Sequence, residues 1–227
     1  MSGRRSARDV RRRQLGQNFL ADDSVVQRFV AGLDLHDADV VVDLGAGTGR
    51  LTVPLARLAR TLSTEVWAVE SDPTWAARLE ENVQGLDVRV IRADIRSLRL
   101  PTARYVAVGN LPFGITTDVL ALLLDRPVLG PLRADLVVQR EVARKHAACP
   151  PTSLRTAAWA PWWEFTAGPR IDRRSFRPIP SVDAAVLRVR RRDPPVLPPA
   201  LAPGFRDTLR TAWSTTHRST NGRMAQW

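Results

Sequence analysis

The sequence predicts an α/β protein with a doubly wound, mainly parallel sheet, and three observations carry that prediction. From residue 40 onward, short β-rich runs alternate with helical stretches, the pattern of βαβ units. The first run ends in a glycine-rich turn, Gly45-Ala46-Gly47-Thr48-Gly49. Carboxylates, Glu70 and Asp94, follow the next two runs, where such sheets bind their ligands.

Taken in order, Val40-Val41-Val42-Asp43-Leu44 is β-branched and reads as a buried strand. Residues 65–70 form a second strand and are followed by a helix near 74–84. Residues 87–91 and 105–108 supply the third and fourth strands. A helix near 116–125 precedes the fifth strand, 134–138, and another helix follows it. After Pro150 the texture changes. Trp159, Trp162 and Trp163 crowd around Pro161 and read as core and hinge packing, while residues 184–189 form a late strand. Asp193-Pro194-Pro195-Val196-Leu197-Pro198-Pro199 cannot be a regular element and reads as a linker. One helix is expected near 204–213.

The chain has 227 residues and a formal charge of +11, from 34 basic against 23 acidic side chains. All the basic residues but Lys145 are arginine. Residues 1–13 carry +5, including Arg4, Arg5, Arg11, Arg12 and Arg13. Residues 170–192 carry +6, including Arg173, Arg174 and Arg177, so the remaining chain is neutral. Two cationic elements on a neutral body point to a polyanionic partner, with those eight arginines as candidate contacts. The plainer alternative is that both clusters are solvated faces.

Other classes are excluded. No run approaches the length of a transmembrane helix. The lone Cys149 rules out a disulfide framework or a CxxC site, and His36, His146 and His217 are too scattered for a metal site. The basic start is followed by no secretory apolar region, so a cytoplasmic protein is expected.

The glycine turn lets a ligand approach the backbone closely. Its spacing is G-x-G-x-G, which favours S-adenosylmethionine over a dinucleotide. Glu70 is placed to accept hydrogen bonds from both ribose hydroxyls, and Asp94 lies where an adenine ring would end.

Gly109-Asn110-Leu111-Pro112-Phe113 follows the fourth strand and has the form of a [DNS]-P-P-[FYW] motif with leucine before the proline. An exocyclic adenine amine is a poor nucleophile because its lone pair is delocalised into the ring. The Asn110 side-chain oxygen and the Leu111 carbonyl can hold its two N–H groups and turn the lone pair toward a methyl donor. Pro112 fixes the loop, and Phe113 offers a face on which a flipped-out base can stack.

Gln14-Leu15-Gly16-Gln17-Asn18-Phe19-Leu20, the DLGAGTG loop, GNLPFGIT, VVQREVARK and SFRPIPSVD together resemble the ribosomal-RNA adenine N6-methyltransferases, in order and spacing along roughly residues 10–192. The resemblance implies a class I S-adenosylmethionine-dependent methyltransferase: Rossmann-like, with a seven-stranded mostly parallel sheet and a short, reduced C-terminal helical segment. It implies cofactor contacts at Asn18, Leu20, Gly45, Glu70, Asp94 and Asn110, with Asn18 and Leu20 closing over the methionine end. Asn110, Leu111, Pro112 and Phe113 would be catalytic, and Phe19 could line the same pocket. The division expected is an arginine-rich extension (1–13), a catalytic domain (14–192), and a proline-rich linker with a small helical segment (193–227).

QREVARK, the Trp162-Trp163-Glu164-Phe165 run and RRSFRPIPSVD look more like the Erm resistance enzymes than the dimethyladenosine transferases of small-subunit RNA. That branch implies methylation of one adenine in 23S ribosomal RNA, before or during ribosome assembly, by a monomer that needs no metal or membrane. A small-subunit dimethyladenosine transferase, a non-catalytic RNA-binding relative and a DNA adenine methyltransferase are the alternatives.

Overall fold

The computed structural model describes residues 18–221, with side chains through Ser214. The described chain enters through β1 (Phe19–Leu20) and α1 (Asp23–Ala31). Alternating units follow: β2 (Val40–Leu44), α2 (Thr52–Thr61), β3 (Glu65–Glu70), α3 (Pro73–Asn82) and β4 (Val88–Arg92). Next come β5 (Tyr105–Asn110), α4 (Thr116–Leu124), β6 (Arg133–Gln139), α5 (Arg140–His146) and α6 (Leu154–Trp159). The chain ends with β7 (Trp163–Ile171), β8 (Phe176–Arg177), β9 (Ala184–Arg191) and α7 (Ala202–Asn221).

The expected seven-stranded sheet is present, ordered β4-β3-β2-β5-β6-β9-β7. Strands β2 through β6 are parallel, and β9 and β7 are antiparallel additions at one side. From β2 the chain builds outward through β3 and β4, then crosses back to lay β5 on the other side of β2. That reversal opens a crevice at the strand ends between β2 and β5.

Burial on both faces explains the mostly apolar runs. All five residues of β2 are buried, with Val42 and Leu44 in one core layer and Val41 in the other. At the end of β5, a methyl group built on Gly109 would collide with the main-chain oxygen of Leu44. Only glycine lets the two strand ends come so close, and Asn110 follows it directly.

The sequence reading leaves out β1, β7, β8, α1 and α6 and ends α7 too early. Strand β7 was not foreseen, because the break at Gly168-Pro169 and its edge position interrupt the alternation; its pairing with β9 shifts register between Ala167 and Arg170. Helix α1 was also missed, although Asp22 caps it by accepting from the Ser24 N–H at 3.0 Å. Helix α7 runs from Ala202 to Asn221, well beyond the expected 204–213. Its start is docked: Ala202 is buried, and Phe205 meets Trp162 edge-on at 5.8 Å. The segment before it is held as well, since Trp162 Nε1 donates to the Leu197 carbonyl at 2.7 Å.

Trp159, Trp162 and Trp163 are buried packing residues. Trp159 Nε1 donates to Asp125 at 2.8 Å, which satisfies the one polar atom a buried indole carries.

Candidate active site

The glycine loop turns back on β3, with the Gly45 and Ala46 N–H groups both donating to the Val69 carbonyl at 2.9 Å. Gly45, Gly47 and Gly49 all have positive φ (76°, 57° and 87°), the conformation that side-chain-bearing residues resist. The Gly47 N–H donates to Glu70 Oε2 at 2.9 Å, and the Asp72 N–H donates to Glu70 Oε1 at 2.8 Å. Glu70 is buried at the end of β3 with its carboxylate plane fixed by these two donors.

Phe19 of β1 covers the loop. A methyl group built on Gly47 would lie 2.9 Å from the Phe19 ring, whose other neighbour is Trp75 at 5.0 Å between centroids. Strand β1 is held from the far side by β8, Phe19 opposite Arg177 and Leu20 opposite Phe176. It is held from below by Arg50, which donates to the Ala21 carbonyl at 2.9 Å and pairs with Asp23. The side-chain nitrogen of Asn110 donates to the Asn18 carbonyl at 2.7 Å. With the nitrogen committed there, the acceptor oxygen is the half of the amide left for a ligand.

These pieces surround one cleft of about 290 Å³, lined by Asn18, Phe19, Gly45, Glu70, Asp94, Asn110 and Pro112, with Ser71, Asp72, Ile95, Arg96 and Ile115. Gly45, Glu70, Asp94 and Asn110 come from the ends of four adjacent strands, β2, β3, β4 and β5. Asp94 accepts from the Arg96 guanidinium at 2.6 Å, and that hydrogen bond holds its carboxyl below the ordinary carboxylate value. Behind the loop, Asp43 is fully buried. Its Oδ2 accepts from Thr52 Oγ1 at 2.7 Å, while Oδ1 has no partner among the described residues. Burial pushes this carboxyl up to about 7, against the Thr52 hydrogen bond and with the aid of the Glu70 charge.

The other candidates lie elsewhere. The Leu20 and Leu111 side chains are in the core, and neither lines the cleft. Phe113 opens a short turn, Phe113–Ile115, half-buried against the core layer of Leu20 and outside the cleft lining. Arg174 is neutralised by Asp172 at 3.0 Å, Arg173 donates to the Ser181 carbonyl at 3.4 Å, and Arg177 donates to the Arg174 and Phe176 carbonyls at 2.8 Å. Arg4, Arg5, Arg11, Arg12 and Arg13 lie outside the described residues. Sequence reasoning missed Asp72, Arg96 and Arg50. The Asp72-Pro73 pair, a cap followed by proline in the first turn, was a legible signal for a helix start at the cleft.

Among the described residues there is no cluster of three metal-ligating side chains, and no helix is long and apolar enough to cross a membrane.

Known proteins align with this architecture. The family model described as ribosomal RNA adenine dimethylase matches residues 8–221. The chain is 41% identical over 213 residues to an rRNA methyltransferase of Streptomyces thermotolerans, covering 92% of this chain and 69% of that protein. It is 34% identical over 207 residues to an rRNA adenine N-6-methyltransferase of Corynebacterium diphtheriae, covering 91% and 79%. It is also 34% identical over 203 residues to the mycinamicin-resistance protein MyrB of Micromonospora griseorubida, covering 89% and 63%. Among solved structures, the 23S rRNA methyltransferase ErmE matches with a TM-score of 0.75 at 31% identity, covering 87% of this chain and 79% of that one.

Proposed function

The chain belongs to the ribosomal RNA adenine dimethylase family, and from that premise we propose that it methylates N6 of one adenine in 23S ribosomal RNA and so confers resistance to macrolide-type antibiotics. Its cofactor is S-adenosylmethionine, which when bound supplies an electrophilic methyl group on a sulfonium. The protein acts in the cytoplasm as a monomer, before or during ribosome assembly, while the target base can still be extruded. Residues 14–192 are its catalytic domain, preceded by the arginine-rich residues 1–13 and followed by the proline-rich linker and helical segment of 193–227.

The observation that best supports this reading is the single cleft shared by Asn18, Gly45, Glu70, Asp94 and Asn110. Those groups fit the cofactor chemically. Glu70, already oriented by two backbone N–H groups, keeps lone pairs for two ribose hydroxyls. Asp94 is an ionised acceptor for an adenine amine, flanked by Ile95 and Ile115 as apolar walls. Phe19 over Gly47 closes the loop where a Cβ would not fit. Leu20 takes part through its backbone, because its side chain belongs to the core.

On the RNA side, Asn110 Oδ1 and the Leu111 carbonyl accept the two N–H groups of the target amine. Pro112 holds that carbonyl in place, and Phe113 offers the aromatic face for the base. The chain's contribution to rate is positioning, and no side chain need act as a general base.

Transfer of labelled methyl to protein-free 23S and 16S RNA, with mapping of the modified base, tests the reading. Label at one 23S adenine is expected. Label at two adjacent 16S adenines would assign the protein to ribosome biogenesis, and absence of calorimetric S-adenosylmethionine binding would overturn the enzyme reading.

A further inference from the structure

Four of the eight arginines in residues 170–192 already face carboxylates. Arg170 pairs with Asp183 at 2.9 Å, Arg174 with Asp172 at 3.0 Å, Arg188 with buried Asp135 at 3.2 Å and Arg192 with Glu164 at 2.7 Å. Arg191 donates to the Gly130 and Pro131 carbonyls and lies 5.4 Å over the Trp163 ring. A guanidinium already facing a carboxylate must break or share that pair before it can take a phosphate, which an unpaired one need not do.

Helix α5 is different. It carries Arg140, Arg144 and Lys145, all exposed, and none of them forms an ion pair among the described residues. Arg140 and Arg144 are four residues apart and therefore share one helix face. Arg140 lines a concavity with Arg173, Arg174 and Ser181, and its own N–H is anchored on the Asp183 carbonyl at 2.9 Å. Arg173, across that concavity, has only the Ser181 carbonyl for its guanidinium. The acids present are Asp172 and Asp183, both held by arginines, and Glu141 in the first turn of α5.

The placement connects this groove to the chemistry. Helix α5 starts where β6 ends, and β6 is the neighbour of β5 in the sheet. The Val137 carbonyl of β6 accepts from the Leu111 N–H at 3.2 Å, inside the Asn110–Phe113 loop. The unpaired cations therefore begin three residues along the chain from a backbone bond to the catalytic loop.

We propose that Arg140 and Arg144 of α5, with Arg173 opposite, bind the phosphodiester backbone of the RNA strand beside the target adenine. This rests on the ribosomal-RNA reading. Arg174 is left out of the contact by its bond to Asp172.

The test measures binding of a transcript of the 23S peptidyl-transferase loop across a salt series, using the full-length protein with S-adenosylmethionine. For Arg140→Ala/Arg144→Ala, the slope of log K against log salt should shrink by about 1.4 to 1.8, the value of two phosphate contacts. Cofactor affinity by calorimetry should stay unchanged, which also reports that the variant is folded. Arg140→Lys/Arg144→Lys should restore the slope, because a phosphate accepts either cation, and Arg174→Ala should leave it unaltered. A parental slope in the double alanine variant overturns the proposal while leaving the methyltransferase reading intact. A parent protein that neither binds nor methylates the transcript takes both down.

Discussion

Asn110 donates its side-chain amide to the main-chain oxygen of Asn18 at 2.7 Å, tying the Asn110–Phe113 loop to the segment that covers the glycine loop. Its nitrogen thus holds the cover in place, and under the proposed function its oxygen is the acceptor for the target amine. Asn110→Ala should abolish methyl transfer and weaken S-adenosylmethionine binding about five-fold, the worth of one net hydrogen bond near 1 kcal/mol. Near-normal turnover in that variant would sink the proposed amine geometry.

Glu70 is loaded before any cofactor arrives, since Gly47 and Asp72 N–H groups occupy one site on each carboxylate oxygen. Glu70→Gln must turn an NH2 group toward one of those donors. The variant should therefore lose stability without cofactor by about 1–3 kcal/mol, the cost of a buried polar group left unmatched. Its cofactor affinity should fall as well. Thermal unfolding of the cofactor-free protein is the readout, and an unchanged midpoint would confine Glu70 to a ligand-binding role.

The parallel half of the fold was legible because β2, β3, β5 and β6 are buried on both faces over most of their length and so appear as short, mostly apolar runs. The candidate site was legible for a different reason: Gly45, Glu70, Asp94 and Asn110 each stand at a strand end as a residue type that an apolar strand would not otherwise carry, and they line one cleft. What failed was contact made at long range. Nothing in Phe19-Leu20 announces a partner at Phe176-Arg177, because that pairing is two residues long and 150 or more residues away in sequence. The arginine count in 170–192 gives charge but not placement, since composition cannot tell an arginine facing water from one facing Asp135, Asp172, Asp183 or Glu164. Strand β7 was hidden by its own break at Gly168-Pro169.

Gly109 is required by the contact between strand ends, where the Leu44 main-chain oxygen occupies the space of a side chain. Gly109→Ala should force β5 away from β2 and cost about 1–3 kcal/mol of stability, as overpacking does. Because Asn110 moves with the strand, activity should fall further than stability alone accounts for. Comparing turnover with the folded fraction at a temperature well below the unfolding midpoint separates the two effects; loss in proportion would contradict the positioning role.

Buried Asp43 and half-buried His146 should give stability opposite dependences on pH. Asp43 is pushed up to about 7, first by burial. Its contribution is fully present below the ordinary value of 3.8 and is lost as pH rises toward about 7, because the unfolded chain ionises while the folded one resists. His146, half-enclosed by Trp159 and Phe165, is held down to about 4, by burial first and then by the charges of Lys145 and Arg155. Its contribution is present above 6.5 and is lost as pH falls toward about 4. Asp135, raised by burial against the pull of Arg133 and Arg188, acts with the same sign as Asp43. Asp172, lowered to about 2 chiefly by its hydrogen bond from Arg174, acts only at more acid pH. Measured relative to wild type, Asp43→Asn should therefore become more stable as pH rises from about 4 to about 7, by up to roughly 4 kcal/mol. His146→Asn, which keeps an amide atom near the Thr156 hydroxyl, should become less stable over the same interval. Denaturant midpoints at half-unit steps of pH give both difference curves. Two curves of the same sign would show that one of these groups keeps its ordinary ionisation in the folded protein.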